Sequence, residues 1–287
     1  MKFFYALLLL PLLSLNGFSQ AGISLQYASA PAGKLFIIGG GKRPPALVQA
    51  MVAAAGLDTA GYAIILPMAS GEPDSAAYYG IRQFVELGLP AAKFRACNFE
   101  KGSYPKAAID SLRGARLVYI AGGDQNRFMD VVLGSPVYEA IHEAYRKGAT
   151  IAGTSAGAAV MSRRMITGNE YKHPDYTGDF RTIEAENIEM KEGLGLLPNA
   201  IVDQHFIYRM RMNRLMSAAL EHPGQACIGI DESTAILVEG NSATVVGDSQ
   251  VILLRNPGGT GKKENGLLGG RGLELSILLP GEKFDLK

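Results

Sequence analysis

The chain has 287 residues, of which 47% are hydrophobic and 19% charged, with a formal net charge of +1. Such a composition supports a sizeable core and excludes an extended disordered chain. The balanced charge, with no Lys/Arg block, excludes the electrostatic footprint of a nucleic-acid binder or a basic membrane-surface protein, so a small or peptide-like partner is expected.

Residues 1–21 carry the marks of a secretory signal peptide: Lys2 as a minimal positive region, the apolar run Ala6-Leu7-Leu8-Leu9-Leu10-Pro11-Leu12-Leu13, and Ser19-Gln20-Ala21 as a small-x-small cleavage site. The apolar run is short for a membrane span. The expectation is a secreted or periplasmic protein with no membrane attachment once the signal is removed. With no internal repeat and no interdomain linker, residues 22–287 are expected to form a single domain. Cys97 and Cys227 do not make a disulfide framework; both read as small hydrophobes, with a single bridge left open.

After a polar stretch, Lys34-Leu35-Phe36-Ile37-Ile38 is a buried first strand that closes in Gly39-Gly40-Gly41. Arg43 and Pro44 break the phosphate-loop and dinucleotide fingerprints, so the glycine triplet reads as a plain strand-to-helix turn, with a place at the border of the cleft left open. A helix over 44–55, a strand over 62–67, a helix over 75–87, a strand over 93–97, a helix over 106–112 and a strand over 116–120 follow. The last of these ends in Gly122-Gly123-Asp124-Gln125, and helices are predicted over 125–133 and 136–147. This alternation predicts an α/β fold: a doubly wound, mostly parallel sheet flanked by helices on both faces, with ligands at the carboxyl ends of its strands.

Residues 167–192 are polar and aperiodic and read as a loop excursion over the cleft, in the position of a specificity lid. A strand running into Asp203-Gln204-His205, a helix over 208–219 and a strand ending in Asp231-Glu232 come next. Segments 235–239, 243–246 and 251–255, separated by Gly240-Asn241 and Gly247-Asp248, predict C-terminal antiparallel hairpins. The Gly-rich stretch 257–270 reads as a loose loop.

The chemistry centres on Gly153-Thr154-Ser155-Ala156-Gly157, which leaves an apolar strand and enters a helical pattern. A G-x-S-x-G turn of this kind pushes a serine Oγ into a cleft, as a nucleophile elbow does. A hydroxyl needs a base in reach and an acid to orient that base. Of the four histidines, His142 lies inside a helix pattern, His173 in the polar loop and His222 at a helix end; only His205 follows a buried strand among polar residues and reads as the base. Glu232 stands at a strand end as the orienter, with Asp231 and Asp203 as rivals. The oxyanion is expected on main-chain N–H groups, from Ala156 and from the turn at Gly123 and Asp124. No two-His or Cys/His spacing suits a metal, and no cofactor is expected.

Gly122-Gly123-Asp124-Gln125, Gly153-Thr154-Ser155-Ala156-Gly157-Ala158, Met165-Ile166-Thr167-Gly168, the run Asp203-Gln204-His205-Phe206 with Arg209, Arg211 and Arg214, and Ile228-Gly229-Ile230-Asp231-Glu232 occur in this order. Together they resemble the cyanophycinase family, serine peptidases on a class I glutamine-amidotransferase-like sheet. The resemblance spans roughly residues 34–254. It implies Ser155 as nucleophile, His205 as base and Glu232 as orienter, with Gln125, Asp203, Gln204, Arg209, Arg211 and Arg214 at substrate-pocket positions. It also implies hydrolysis of cyanophycin, poly-aspartate bearing arginine on each β-carboxyl, to β-aspartyl-arginine dipeptides without a cofactor. On a helix Arg211 and Arg214 would share a face and Arg209 would point away, so one or two arginines are expected in the pocket. The competing readings are an aspartyl or isoaspartyl dipeptidase and a non-catalytic polymer-binding protein; a homodimer stays open.

Overall fold

Side chains of β1 (Lys34–Ile38) alternate between two apolar layers, Leu35 and Ile37 entering one and Phe36 and Ile38 the other, all four fully buried. That period of two, apolar on both faces, is what a central strand covered by helices requires. The computed structural model describes residues 33–175 and 180–287; the expected signal peptide, and residues 176–179 of the expected lid, lie outside the described residues. The described residues belong to one compact unit.

The first half alternates strand and helix: α1 (Pro45–Ala55), β2 (Ala63–Leu66), α2 (Pro73–Val85), β3 (Phe94–Ala96), α3 (Lys106–Arg113), β4 (Leu117–Ile120), α4 (Gln125–Val132), α5 (Pro136–Arg146), β5 (Thr150–Thr154) and the four-residue α6 (Ala156–Ala159). Strands β1, β5, β4, β2 and β3 lie side by side in that order and all parallel. Helices α1 and α2 cover one face through Leu47, Met51 and Phe84; α3, α4 and α5 cover the other through Leu112, Phe128 and Ile141. Local chemistry sets the helix starts. Pro opens α1, α2 and α5 at its first turn, where the missing N–H costs nothing. Ser135 Oγ accepts from Val137 N–H and Asp124 Oδ1 from Asn126 N–H, capping α5 and α4.

The second half is built of β6 (Arg164–Glu170), β7 (Ile188–Glu192), β8 (Ala200–Gln204), α7 (Met212–Glu221), β9 (Ala226–Ile230), β10 (Thr234–Glu239), β11 (Ser242–Gly247), β12 (Val251–Arg255), β13 (Gly261–Glu264), β14 (Leu267–Gly270), β15 (Glu274–Leu278) and β16 (Lys283–Asp285). Antiparallel β10, β11 and β16 extend the parallel sheet beyond β1 to eight strands. A second, four-stranded sheet, β15-β12-β9-β8, packs Val202, Ile228 and Ile230 into the core of the first and Ile201 and Cys227 against α7.

The mostly parallel sheet, its two helical layers and the β10–β11 hairpin agree with expectation. Four readings are corrected. Segment 251–255 pairs with β9 and β15, not with β11, because Leu253 and Leu254 fill the two faces of the second sheet. The polar excursion has arms, β6 and β7, which form an antiparallel ribbon interrupted by a bulge. The Gly-rich stretch folds as the β13–β14 hairpin with Asn265-Gly266 at its turn, both at positive φ. The helix predicted from 208 starts only at Met212, since the chain first makes a tight turn with Met210 at φ 50°.

Candidate active site

The two sheets bring three strand ends together. Ser155 follows β5, His205 follows β8, and Glu232 follows β9. Glu232 Oε1 lies 2.6 Å from His205 Nδ1, and His205 Nε2 lies 2.9 Å from Ser155 Oγ. One imidazole thus joins a hydroxyl to a carboxylate, an arrangement in which a hydroxyl can be activated by a base that an acid orients. The backbone is strained at each corner: Ser155 has φ 54°, His205 φ 49°, and Ser233, next to Glu232, φ 55°. Non-glycine residues at positive φ cost free energy and persist where the surroundings hold them.

What holds them is the turn after β1. Ile38 C=O accepts the Ser155 N–H, Gly39 C=O the His205 N–H and Gly40 C=O the Ser233 N–H, at 3.0, 2.7 and 3.0 Å. Three successive carbonyls therefore fix the three corners of the constellation. Gly40 and Gly41 have φ 116° and 69° and pack close to the His205 and Glu232 side chains. A Cβ at Gly40 would meet His205 Cε1 at 2.3 Å, and one at Gly41 would meet Glu232 Cβ at 2.7 Å. Only glycine fits there.

His205 is buried, and burial lowers its pKa below the ordinary imidazole value, with the Glu232 hydrogen bond opposing and the Arg209 and Arg211 charges reinforcing the shift. The ring is neutral at neutral pH and able to take a proton from Ser155. The N–H groups of Ala156, next to Ser155 in the chain, and of Gly123, which lines the same cleft as Ser155, have no partner among the described residues. Asp124 N–H is committed to Ala69 C=O at 2.8 Å, so the expectation of an Asp124 oxyanion donor is corrected. Ser155 opens onto a cleft of about 470 Å³ lined by Gly123, Gln125, Thr167, Asn169, Gln204 and the three arginines 209, 211 and 214, among others.

Residues 35–246 match Peptidase family S51. The chain belongs to that family. It is 37% identical over 237 residues to a cyanophycinase of Nostoc sp., covering 78% of this chain and 75% of that one. It is 32% identical over 235 residues to a cyanophycinase of Geminocystis herdmanii, covering 78% and 82%. Among solved structures, a peptidase from an acI-B1 Actinobacterium shares the fold with a TM-score of 0.63 at 23% identity, covering 88% of this chain and 96% of that one.

In this S51 chain the rival orienters have other tasks. Asp231 Oδ1 accepts from Ile207 and Tyr208 N–H at 3.0 and 2.9 Å, and Ser249 Oγ donates to Oδ2, so this carboxylate pins the turn that follows His205. Asp203, 1% exposed, receives both Nε and Nη2 of Arg214. Arg211 Nη1 donates to Gln204 C=O and Oε1 at 2.6 and 2.8 Å. All three arginines line the cleft, more than the helical spacing predicts, because Arg209 and Arg211 sit in the turn before α7 and not on it. Arg211 and Arg214 are buried and tied to Gln204 and Asp203, whereas Arg209 is exposed. Gln125 is buried, its Nε2 donating to Ile166 and Thr167 C=O, which ties the cleft wall to β6.

The other histidines and the cysteines stand apart. His142 Nε2 meets Leu194 C=O at 2.9 Å, His173 Nε2 meets Glu184 at 2.8 Å, and His222 caps α7. Cys97 and Cys227 are unpaired. Burial pushes the Cys227 thiol up to about 12, which makes it inert as a nucleophile. The glycine triplet 39–41, read from the sequence as a plain strand-to-helix turn with a place beside the cleft left open, does border the site: the Gly39 and Gly40 carbonyls accept from His205 and Ser233 N–H.

Proposed function

We propose that this chain is a serine-type peptidase that hydrolyses cyanophycin to β-aspartyl-arginine dipeptides, and that it acts outside the cytoplasm. The observation that carries the reading is the hydrogen-bonded series Ser155–His205–Glu232 opening onto an arginine-lined cleft. Similarity to cyanophycinases supports the substrate; the apolar N-terminal run supports export.

In this reading Ser155 Oγ attacks the scissile carbonyl carbon while His205 Nε2 takes its proton. Glu232 holds Nδ1–H and balances the imidazolium that forms. The tetrahedral oxyanion is held by Gly123 and Ala156 N–H; loss of one such donor costs about 10²-fold or more in turnover. The intermediate collapses as His205 returns the proton to the leaving amine. Water, deprotonated by the same ring, then frees the acyl group from Ser155. The cationic wall receives substrate carboxylates, for which the planar guanidinium fork is better shaped than an ammonium.

A phosphonylating reagent tests the nucleophile. It should label Ser155 in the wild type and leave the Ser155→Ala variant unlabelled; labelling of any other residue with loss of activity removes Ser155 from the mechanism.

A further inference from the structure

Asp124 is the one acidic side chain among the described residues that line the cleft. Its surroundings fix it well. The Asp124 N–H is held by Ala69 C=O, and Oδ1 accepts from Asn126 N–H at 2.7 Å, which leaves the exposed Oδ2 without a partner. The neighbouring carboxylates are already engaged: Glu232 with His205, Asp203 with Arg214, Asp231 with the turn amides, and Glu189 with Thr167 Oγ1 and Asn169 Nδ2.

On the cationic side, Arg211 and Arg214 are bound to Gln204 and Asp203, while exposed Arg209 makes no ion pair among the described residues. The cleft thus offers a ligand one carboxylate from the β4–α4 turn and one guanidinium from the turn after β8, with Ser155 among the residues of the same cleft. A purely anionic ligand would leave Asp124 repelling it. A ligand with both a guanidinium and a carboxylate satisfies both groups, and a guanidinium on a carboxylate forms paired charge-assisted hydrogen bonds.

We propose that Asp124 is the specificity-determining residue that binds the substrate's guanidinium, and that Arg209 takes the carboxylate of the same arginyl unit. This rests on the peptidase reading above and adds to it a residue for the positive end of the substrate.

The test uses binding to the Ser155→Ala protein by calorimetry, with β-aspartyl-arginine and its citrulline analogue, a neutral isostere, as probes. The arginyl compound should bind roughly 10- to 100-fold more tightly, the range of a hydrogen bond to a charged group. Adding Asp124→Asn, which keeps the helix cap, should shrink that gap to within about threefold without weakening the citrullinyl compound; Asp124→Ser, which also caps, should act alike. A gap that survives both substitutions overturns the assignment, as does equal binding of the two probes, or no binding, in the parent. Turnover of a small ester by the wild type is measured alongside: its absence sinks the peptidase reading while the binding comparison still decides Asp124.

Discussion

At Ser155 the chain leaves β5 with φ 54° and places Oγ 2.9 Å from His205 Nε2, so a strained backbone holds the hydroxyl within hydrogen-bond reach of the imidazole. Ser155→Ala removes one oxygen and should leave the fold intact while lowering peptide hydrolysis by at least about 10³-fold; wild-type turnover in that variant would remove the residue from the mechanism. Glu232→Gln can still orient the ring but cannot balance the imidazolium, so kcat should fall on the order of 10²- to 10⁴-fold with little change in KM. The pH profile follows from His205. Because burial depresses its pKa, the acid limb of kcat/KM should fall below the ordinary histidine value, and Glu232→Gln, which removes an interaction favouring the charged ring, should move that limb further down. Gly40→Ala would drive a methyl into the His205 ring at a φ of 116°, so it should reduce both activity and stability, read as kcat and denaturant midpoint.

At the scale of elements, the turn between β8 and α7 gathers three of the candidate site residues. It holds His205 at its start and Arg209 and Arg211 near its end, and it is clamped by Asp231 through two amides and by the buried Asp203–Arg214 pair. Asp203→Ala leaves the Arg214 guanidinium buried without its partner, and breaking such a pair typically costs about 3 to 5 kcal/mol; urea unfolding should show that loss, and an unchanged midpoint would refute it. This turn was also where the sequence was hardest to read. Its apolar and basic residues fit a helical period, but His205 and Met210 at positive φ and the Asp231 bonds stop a helix from forming before Met212. By contrast, the parallel strands were legible because Leu35 to Ile38, Ile64 to Leu66 and Leu117 to Ile120 are continuous apolar runs between turn residues. The serine, histidine and glutamate were legible as polar residues at strand ends. The glycine triplet was not, since its role lies in carbonyls that accept from residues more than a hundred positions away.

Across the whole molecule, two sheets rather than one bring the parts of the candidate site together: Ser155 follows a strand of the eight-stranded sheet, and His205 and Glu232 follow strands of the four-stranded one, with the turn after β1 bonded to both. The pairing of β12 with β9 that completes the second sheet is a long-range choice, invisible to local period. His142, His205 and His222 all have pKa values lowered chiefly by burial. Protonation then favours the unfolded chain, so their contribution is complete above the ordinary value of 6.5 and declines as pH falls toward the lowered folded values. The urea midpoint should accordingly be lower at pH 5 than at pH 8, and an unchanged midpoint would contradict the assignment of these rings as neutral. The central claim is that Ser155, His205 and Glu232 cut an arginine-bearing aspartate polymer. Incubating purified protein with insoluble cyanophycin and identifying the soluble products by mass spectrometry tests it most directly: the account predicts β-aspartyl-arginine dipeptides from the wild type and none from Ser155→Ala, whereas polymer left intact by the wild type, or dipeptides released equally by the variant, would contradict it.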